Sequence, residues 1–255
     1  MRYFLRLSYN GSAFSGWQVQ ENARSVQGEL EKALSIRCGE PVSVTGSGRT
    51  DAGVNASGYI AHFDTELEIE KEPSEFLYKI NAILPQEIVV ENVCRVAPEA
   101  HARFDATSRT YRYRLHNRKD PFADRSLAFY YPLDLGAMNS AAAHLLGRKD
   151  FTCFEKTGGD NKTSICDVSV CRWTPVDDSH FVFEMTADRF LRNMVRATVG
   201  TLLEIGRGRR PVEWIDEVLA SKDRCAAGQS VKGEPLCLCQ VLYPYPLEWM
   251  CPEQI

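Results

Sequence analysis

What this chain lacks narrows its class first. Its 255 residues include nine cysteines, an odd number, scattered and without one Cys-x-x-Cys pair. That argues against a disulfide framework and against a zinc site. The five histidines show no metal-ligand spacing. No run approaches the roughly 18 apolar residues that a membrane span needs. Met1-Arg2-Tyr3-Phe4-Leu5-Arg6-Leu7 alternates like a strand and has neither the long apolar core nor the cleavage site of a signal peptide. The expected location is the cytoplasm, with no membrane partner. Positive charge is also in deficit. The formal balance of −4 by itself argues mildly against a nucleic-acid partner, because Lys and Arg drive phosphate binding.

What is present is ordinary globular material, 44% hydrophobic and 25% charged, long enough for one large domain or two of common size. Its charges are unevenly spread. Arg109, Arg112, Arg114, Arg118 and Lys119 fall within eleven residues and Arg207, Arg209 and Arg210 within four, while acidic residues gather between Glu66 and Glu75. A basic cleft on an acidic protein fits this pattern; so do solvated charged faces.

Periodicity predicts two halves. The first, residues 1–105, reads β-α-β-β-α-β: a strand at 3–9, a helix capped by Ser25 and stopped by Gly39, strands near 41–46 and 58–64, a helix from Pro73 to Pro85, and a strand at 87–96. The second, residues 106–255, has a strand at 108–115 and a helix capped by Asp134 that runs to Leu145 before Gly147. A hairpin of 165–173 and 181–186 follows, then a long helix from Asp188 to Glu204, a short one after Pro211, and a last strand at 236–242. The expected class is α+β: two similar α/β-sandwich halves, mainly antiparallel, joined into one extended sheet with a cleft at the seam. Cys94, Cys166 and Cys171 sit in apolar runs as small buried hydrophobes.

Three stretches bear on chemistry. In Thr45-Gly46-Ser47-Gly48-Arg49-Thr50-Asp51-Ala52-Gly53-Val54-Asn55-Ala56, three glycines let the loop bend sharply around one arginine and one aspartate. It could present a reactive carboxylate. It could equally be a turn whose Asp51 only bonds nearby amides; the Gly-Lys-Ser/Thr ending of a phosphate-binding loop is absent. In His101 to Arg114, Thr110, Arg112 and Arg114 share one strand face and Tyr111 and Tyr113 the other. That alternation suits RNA, with arginines on phosphates and a ring on an unpaired base, and it also suits an amphipathic edge strand. In Ala187 to Gly200, helical spacing places Arg196 near Arg192 and Arg189, with Phe190, Met194 and Val195 inward; an arginine there is ordinarily a snorkelling surface residue.

The wording of these stretches resembles the TruA family of tRNA pseudouridine synthases. Gly48-Arg49-Thr50-Asp51-Ala52-Gly53-Val54, followed by Ala61-His62-Phe63-Asp64, is close to that family's signature, as are Arg109-Thr110-Tyr111-Arg112-Tyr113 and Phe190-x-x-x-Met194-Val195-Arg196. Further matches run along the chain: Tyr9-x-Gly11, Gly16-Trp17-Gln18, Asn81-Ala82-Ile83-Leu84-Pro85, Asp150-Phe151-Thr152-x-Phe154 and Leu236-x-Leu238. The resemblance implies that Asp51 is the catalytic residue, that Tyr111 stacks on the target base near its C5, and that Arg196 lies beside Asp51 and keeps it ionised. It also implies that Arg49 stabilises a flipped base and that Phe104, Leu236 and Leu238 form an apolar surround. The substrate would be uridine 38, 39 or 40 of the tRNA anticodon stem-loop, whose backbone Arg109, Arg112, Arg114, Arg207, Arg209 and Arg210 would bind. A homodimer is implied, and no cofactor or metal. Two departures stand out. Asn55 replaces the family's usual His, and Ser230-Val231-Lys232-Gly233-Glu234-Pro235-Leu236 replaces an Ala-Pro-Ala-x-Gly-Leu turn. A catalytically dead RNA-binding protein and an unrelated Asp-nucleophile hydrolase are the rival readings.

Overall fold

The computed structural model describes residues 1–156, 158 and 162–252. Two compact units make up the chain: Met1–Thr107 with Leu238–Ile255, and Ser108–Cys237. The class is α+β, with five α-helices and ten strands among the described residues, paired mostly antiparallel. No helix of the described residues is long and apolar enough to cross a membrane.

The first unit follows the expected order: β1 (Arg2–Tyr9), α1 (Val26–Cys38), β2 (Val44–Gly46), β3 (Asn55–Asp64), α2 (Pro73–Ile83) and β4 (Ile88–Val96). β1 lies between β3 and β4, antiparallel to both, and β10 (Leu236–Leu242) adds itself beyond β3. Local chemistry sets the helix ends. The Ser25 side chain accepts from the Gly28 amide at 3.2 Å, and Gly39 ends α1 with φ 75°. Pro73 opens α2, and Asn81 ties that helix to β4 through two bonds to Val90, 2.9 and 2.8 Å long.

β1 is buried on both faces. Tyr3, Leu5, Leu7 and Tyr9 alternate toward a core in which Phe63 stacks on Phe76 of α2. Phe4 points the other way and meets Tyr243, in the segment after β10, at 5.3 Å. Tyr243 is half-buried there, so this tail covers the far face of β1 rather than entering the core. It is further fixed by Met250 N donating to Val93 O and by two bonds between Asn92 and the Cys251 backbone.

The second unit contains β5 (Ser108–His116), β6 (Leu127–Ala128), α3 (Leu135–Ala143), β7 (Gly147–Asp150), β8 (Ile165–Pro175), β9 (His180–Ala187), α4 (Met194–Gly206) and α5 (Trp214–Ser221). The order is β5-β9-β8-β7, with β6 parallel to the end of β5. The Asp134 carboxylate caps α3 through the Ala137 amide at 2.9 Å. β7 is unexpected from sequence, because Arg148 and Lys149 lack the alternation of a half-buried strand. α4 also departs from expectation, beginning at Met194 rather than Asp188. Asn193 takes a left-handed φ of 68°, and the Asp188 carboxylate is used by the amides of Asp167 and Arg189, which holds 188–193 as a loop. Cys94, Cys166 and Cys171 are buried as expected, and burial pushes the Cys94 and Cys166 thiols up to about 12.

Candidate active site

β2 delivers the chain to Gly46 and β3 receives it at Asn55, which leaves Asp51 on the intervening loop. That loop is bonded along its length. Ser47 N donates to Ile60 O at 2.8 Å, Trp17 N to Thr50 O at 3.1 Å, Gly53 N to Phe14 O at 3.4 Å and Val54 N to Asp51 O at 3.2 Å. The Tyr59 hydroxyl donates to the Gly48 carbonyl, and the Tyr9 hydroxyl bonds Thr50 Oγ1 at 2.9 Å. Beneath it Trp17 and Tyr59 stack with centroids 4.2 Å apart. Gly16, at φ 101°, lies so close that a Cβ there would run into the Thr50 carbonyl. The result is a rigid mount on which Asp51 is half-exposed and Arg49 exposed. These bonds fix the backbone that carries the Asp51 carboxylate.

Asn55 has a structural use. Buried at the start of β3, it accepts the Gly11 amide on Oδ1 at 3.0 Å, tying the strand to the turn after β1.

In the second unit Tyr111 is buried on β5, and the ring of Phe190 meets it edge-on at 4.9 Å. Because 188–193 is a loop, Phe190 does not lie on the stripe of α4, and Arg189 and Arg192 do not share a helix with Arg196. Arg196, on the first turn of α4, donates from Nε to Val231 O at 2.7 Å and accepts the Val231 amide on its own carbonyl at 3.2 Å. The Tyr113 hydroxyl donates to Lys232 O at 3.2 Å, and burial raises its pKa so that the phenol stays protonated. Asn193 and Arg224 both donate to Ser230 Oγ at 2.6 Å. The segment that departs from the family's wording is thus held as a defined turn, closed by Leu236 N donating to Gly233 O.

The basic residues are mostly engaged within their own unit. Arg112 shares Glu184 with Arg172, and Arg109 donates to the Asp188 carbonyl at 2.7 Å. Arg114 is exposed. Arg209 reaches Glu204 at 3.5 Å, and Arg210 lies over the Trp214 ring. Arg207 stacks on Tyr131, 3.8 Å from the ring centroid. Leu236 and Leu238 are buried, but Phe104 is 75% exposed and does not complete the apolar surround expected of it. Its turn explains this. His101 Nδ1 accepts the amides of Arg103 and Phe104 while Asp105 accepts that of His101, which turns the Phe104 ring outward onto His101. Among the described residues no group of three or more His, Cys, Asp or Glu side chains is placed to hold a metal ion.

A family model for tRNA pseudouridine synthase matches residues 141–244. The whole chain is matched by tRNA pseudouridine synthase A of Parabacteroides distasonis, 49% identical over 97% of this chain and 99% of the relative. The same-named protein of Bacteroides fragilis is 48% identical over 95% and 96%, and that of Shewanella loihica 42% identical over 96% and 94%. The chain belongs to the tRNA pseudouridine synthase A family. Membership at this coverage extends over both units and all three motif stretches.

Several supporting residues had no functional signal of their own in the sequence. Trp17 and Gly16 stood out only as part of a family match, and Tyr113 only as a ring on the inner face of β5. Ser230 stood out only as the start of a departing segment, and Asn193 and Arg224, which both donate to it, carried no signal.

Proposed function

We propose that this chain isomerises uridine to pseudouridine at positions 38, 39 and 40 of the tRNA anticodon stem-loop, with Asp51 as the catalytic carboxylate. The observation that carries the reading is the rigid mount of Asp51: a motif loop fixed by Tyr9, Trp17 and Tyr59, in a chain with full-length relatives named for this activity. The N1–C1′ bond breaks, the uracil turns, and a C5–C1′ bond forms; C5 gives up its proton and N1 gains one, so substrate and product are isomers. Asp51 acts as nucleophile on C1′ or as the base that starts glycal formation.

The target base leaves its stack at a cost of a few kcal/mol. Arg49 stabilises the flipped state, Tyr111 stacks on the extruded uracil, and Arg196 has the role of keeping the carboxylate ionised. Arg109, Arg112, Arg114, Arg209 and Arg210 meet the stem backbone, with Leu236 and Leu238 supplying apolar surface. Affinity then falls steeply with salt. The protein works in the cytoplasm as a homodimer in which one tRNA spans both subunits, a state that sedimentation reads directly.

The test is tritium release from tRNA labelled at uridine C5, comparing the native chain with Asp51→Asn. Release that disappears in the variant while tRNA binding persists supports the assignment. Equal release from both removes Asp51 as the catalyst, and no release from either, with binding intact, leaves an RNA-binding protein. Substrates with a single uridine at 38, 39 or 40 then separate the positions.

A further inference from the structure

Between β5 and α3 lies a surface segment, residues 117–133, that bears exposed Arg118, Lys119 and Arg125 and the exposed rings of Phe122, Tyr130 and Tyr131. Its middle is pinned to β5 through β6 and by Phe129 N donating to His116 O at 2.8 Å, and it is tied down further at two ends. At the near end, His180 on β9 faces two carboxylates at once, with Nδ1 2.9 Å from Asp177 in the β8–β9 turn and Nε2 3.1 Å from Asp120 in the segment. The Asn117 amide donates to Ser179 O beside it. At the far end Arg207, leaving α4, packs its guanidinium on Tyr131 and faces Phe129 at 5.7 Å. Its side chain is only 15% exposed, which is poor access for a phosphate contact.

A carboxylate oxygen only accepts, so an imidazole with a carboxylate on each nitrogen must donate from both and is the cation. We propose that His180, as an imidazolium bridge, and Arg207, as a stacked guanidinium, are positioning residues that hold 117–133 so that its cations and rings meet tRNA as one surface. This rests on the tRNA reading above. Cations interleaved with aromatic rings are what a backbone with unpaired bases selects, and ordering them before binding removes an entropic cost at the moment of binding.

The groups facing His180 are Asp177 from the turn, Asp120 from the segment and the His116 ring from β5 at 5.9 Å; Ser179 Oγ, uncharged, lies 3.2 Å away. The hydrogen bond that His180 donates to Asp177, aided by Asp120, raises the His180 pKa above the ordinary 6.5. The bridge is therefore complete below that pH and is lost as pH rises through the raised value.

The experiment measures tRNA affinity by gel shift at about pH 6 and about pH 8.5 for the native chain, His180→Gln and Asp120→Asn, with tritium release on the same samples. The native Kd is expected to rise several-fold at the higher pH, and His180→Gln to show the weaker Kd at both. Asp120→Asn decides between a clamp and simple charge. Removing a negative charge beside RNA tightens binding by electrostatics alone, whereas loss of the bridge weakens it. Asp120→Asn binding as tightly as native or tighter overturns the inference, as does a pH-dependent Kd that survives in His180→Gln or a native chain that binds no tRNA. Absent tritium release with the Kd pattern intact would sink the catalytic reading and keep the clamp.

Discussion

His62 and His180 stand on strands of different units and are pushed in opposite directions. His62 is buried on β3, accepts the Ala102 amide on Nδ1 at 3.1 Å, and desolvation, with Arg2 and His101 nearby, lowers its pKa to about 4. His180 is partly exposed between two carboxylates and is raised. The same contrast holds for the loops in each unit. The Asp51 loop is held by backbone bonds, phenol hydroxyls and a Trp17–Tyr59 stack, none of which titrates near neutrality. The 117–133 segment shares such neutral bonds in its middle, where β6 pairs with β5 and Phe129 N donates to His116 O, but its ends add a bridging imidazolium and a guanidinium. Neutral, buried supports keep a loop in one place, because neither salt nor pH loosens them. A surface that captures a polyanion tolerates ionic supports and can be tuned by them.

Substitutions should break this contrast unequally. The largest effect after loss of Asp51 itself is expected from Gly16→Ala, because a Cβ there meets the Thr50 carbonyl and the backbone sits at φ 101°. Displacing the mount by about 1 Å should cost about 10²-fold in kcat with tRNA affinity nearly unchanged. A Gly16→Ala enzyme with native kcat would mean that the loop is not the rigid element described.

The next effect is on stability against acid. The unfolded chain protonates His62 near 6.5 and the folded one near 4, so the folded state binds fewer protons in that window. The stability this represents is whole above about pH 6.5 and is lost as pH falls toward 4. Thermal melts of native protein and His62→Gln across that range should show a flatter acid limb in the variant; parallel limbs would contradict a neutral buried imidazole.

Smallest is Arg207→Met, which keeps much of the volume and loses the stacked charge. The Tyr131 ring is 51% exposed, and a cation–π contact at such a site is worth ~0.5–1 kcal/mol, so tRNA affinity should fall about two- to fivefold, equally at both pH values. The salt dependence of Kd sharpens the point. An unchanged slope marks Arg207 as a positioning residue, and a slope lowered by nearly one marks it as a phosphate contact.

Much of the first unit was legible because its signals are local. Ser25 and Gly39 bound α1, Pro73 and Pro85 bracket α2, and alternation in β1 reads the same in any context. The family wording around Asp51, Tyr111 and Arg196 was legible, though not what those three stretches rest on. Asn193 looks like any polar helix residue until its left-handed φ starts α4 six residues late. Phe104 reads as one side of an apolar surround, and the His101–Asp105 turn directs its ring to solvent.

The sequence by itself determined the α+β class, the order of the main strands and helices and the family, since capping, period and motif spacing act within a few residues and need no partner far along the chain. Tertiary structure alone decided what holds those parts in place: Trp17 and Tyr59 under Gly46, Asn55 on the Gly11 amide, Val231 against Arg196, and residues 238–252 on the first unit. Each joins residues distant in the chain, and such a contact gains free energy only after folding has met the entropy of bringing them together.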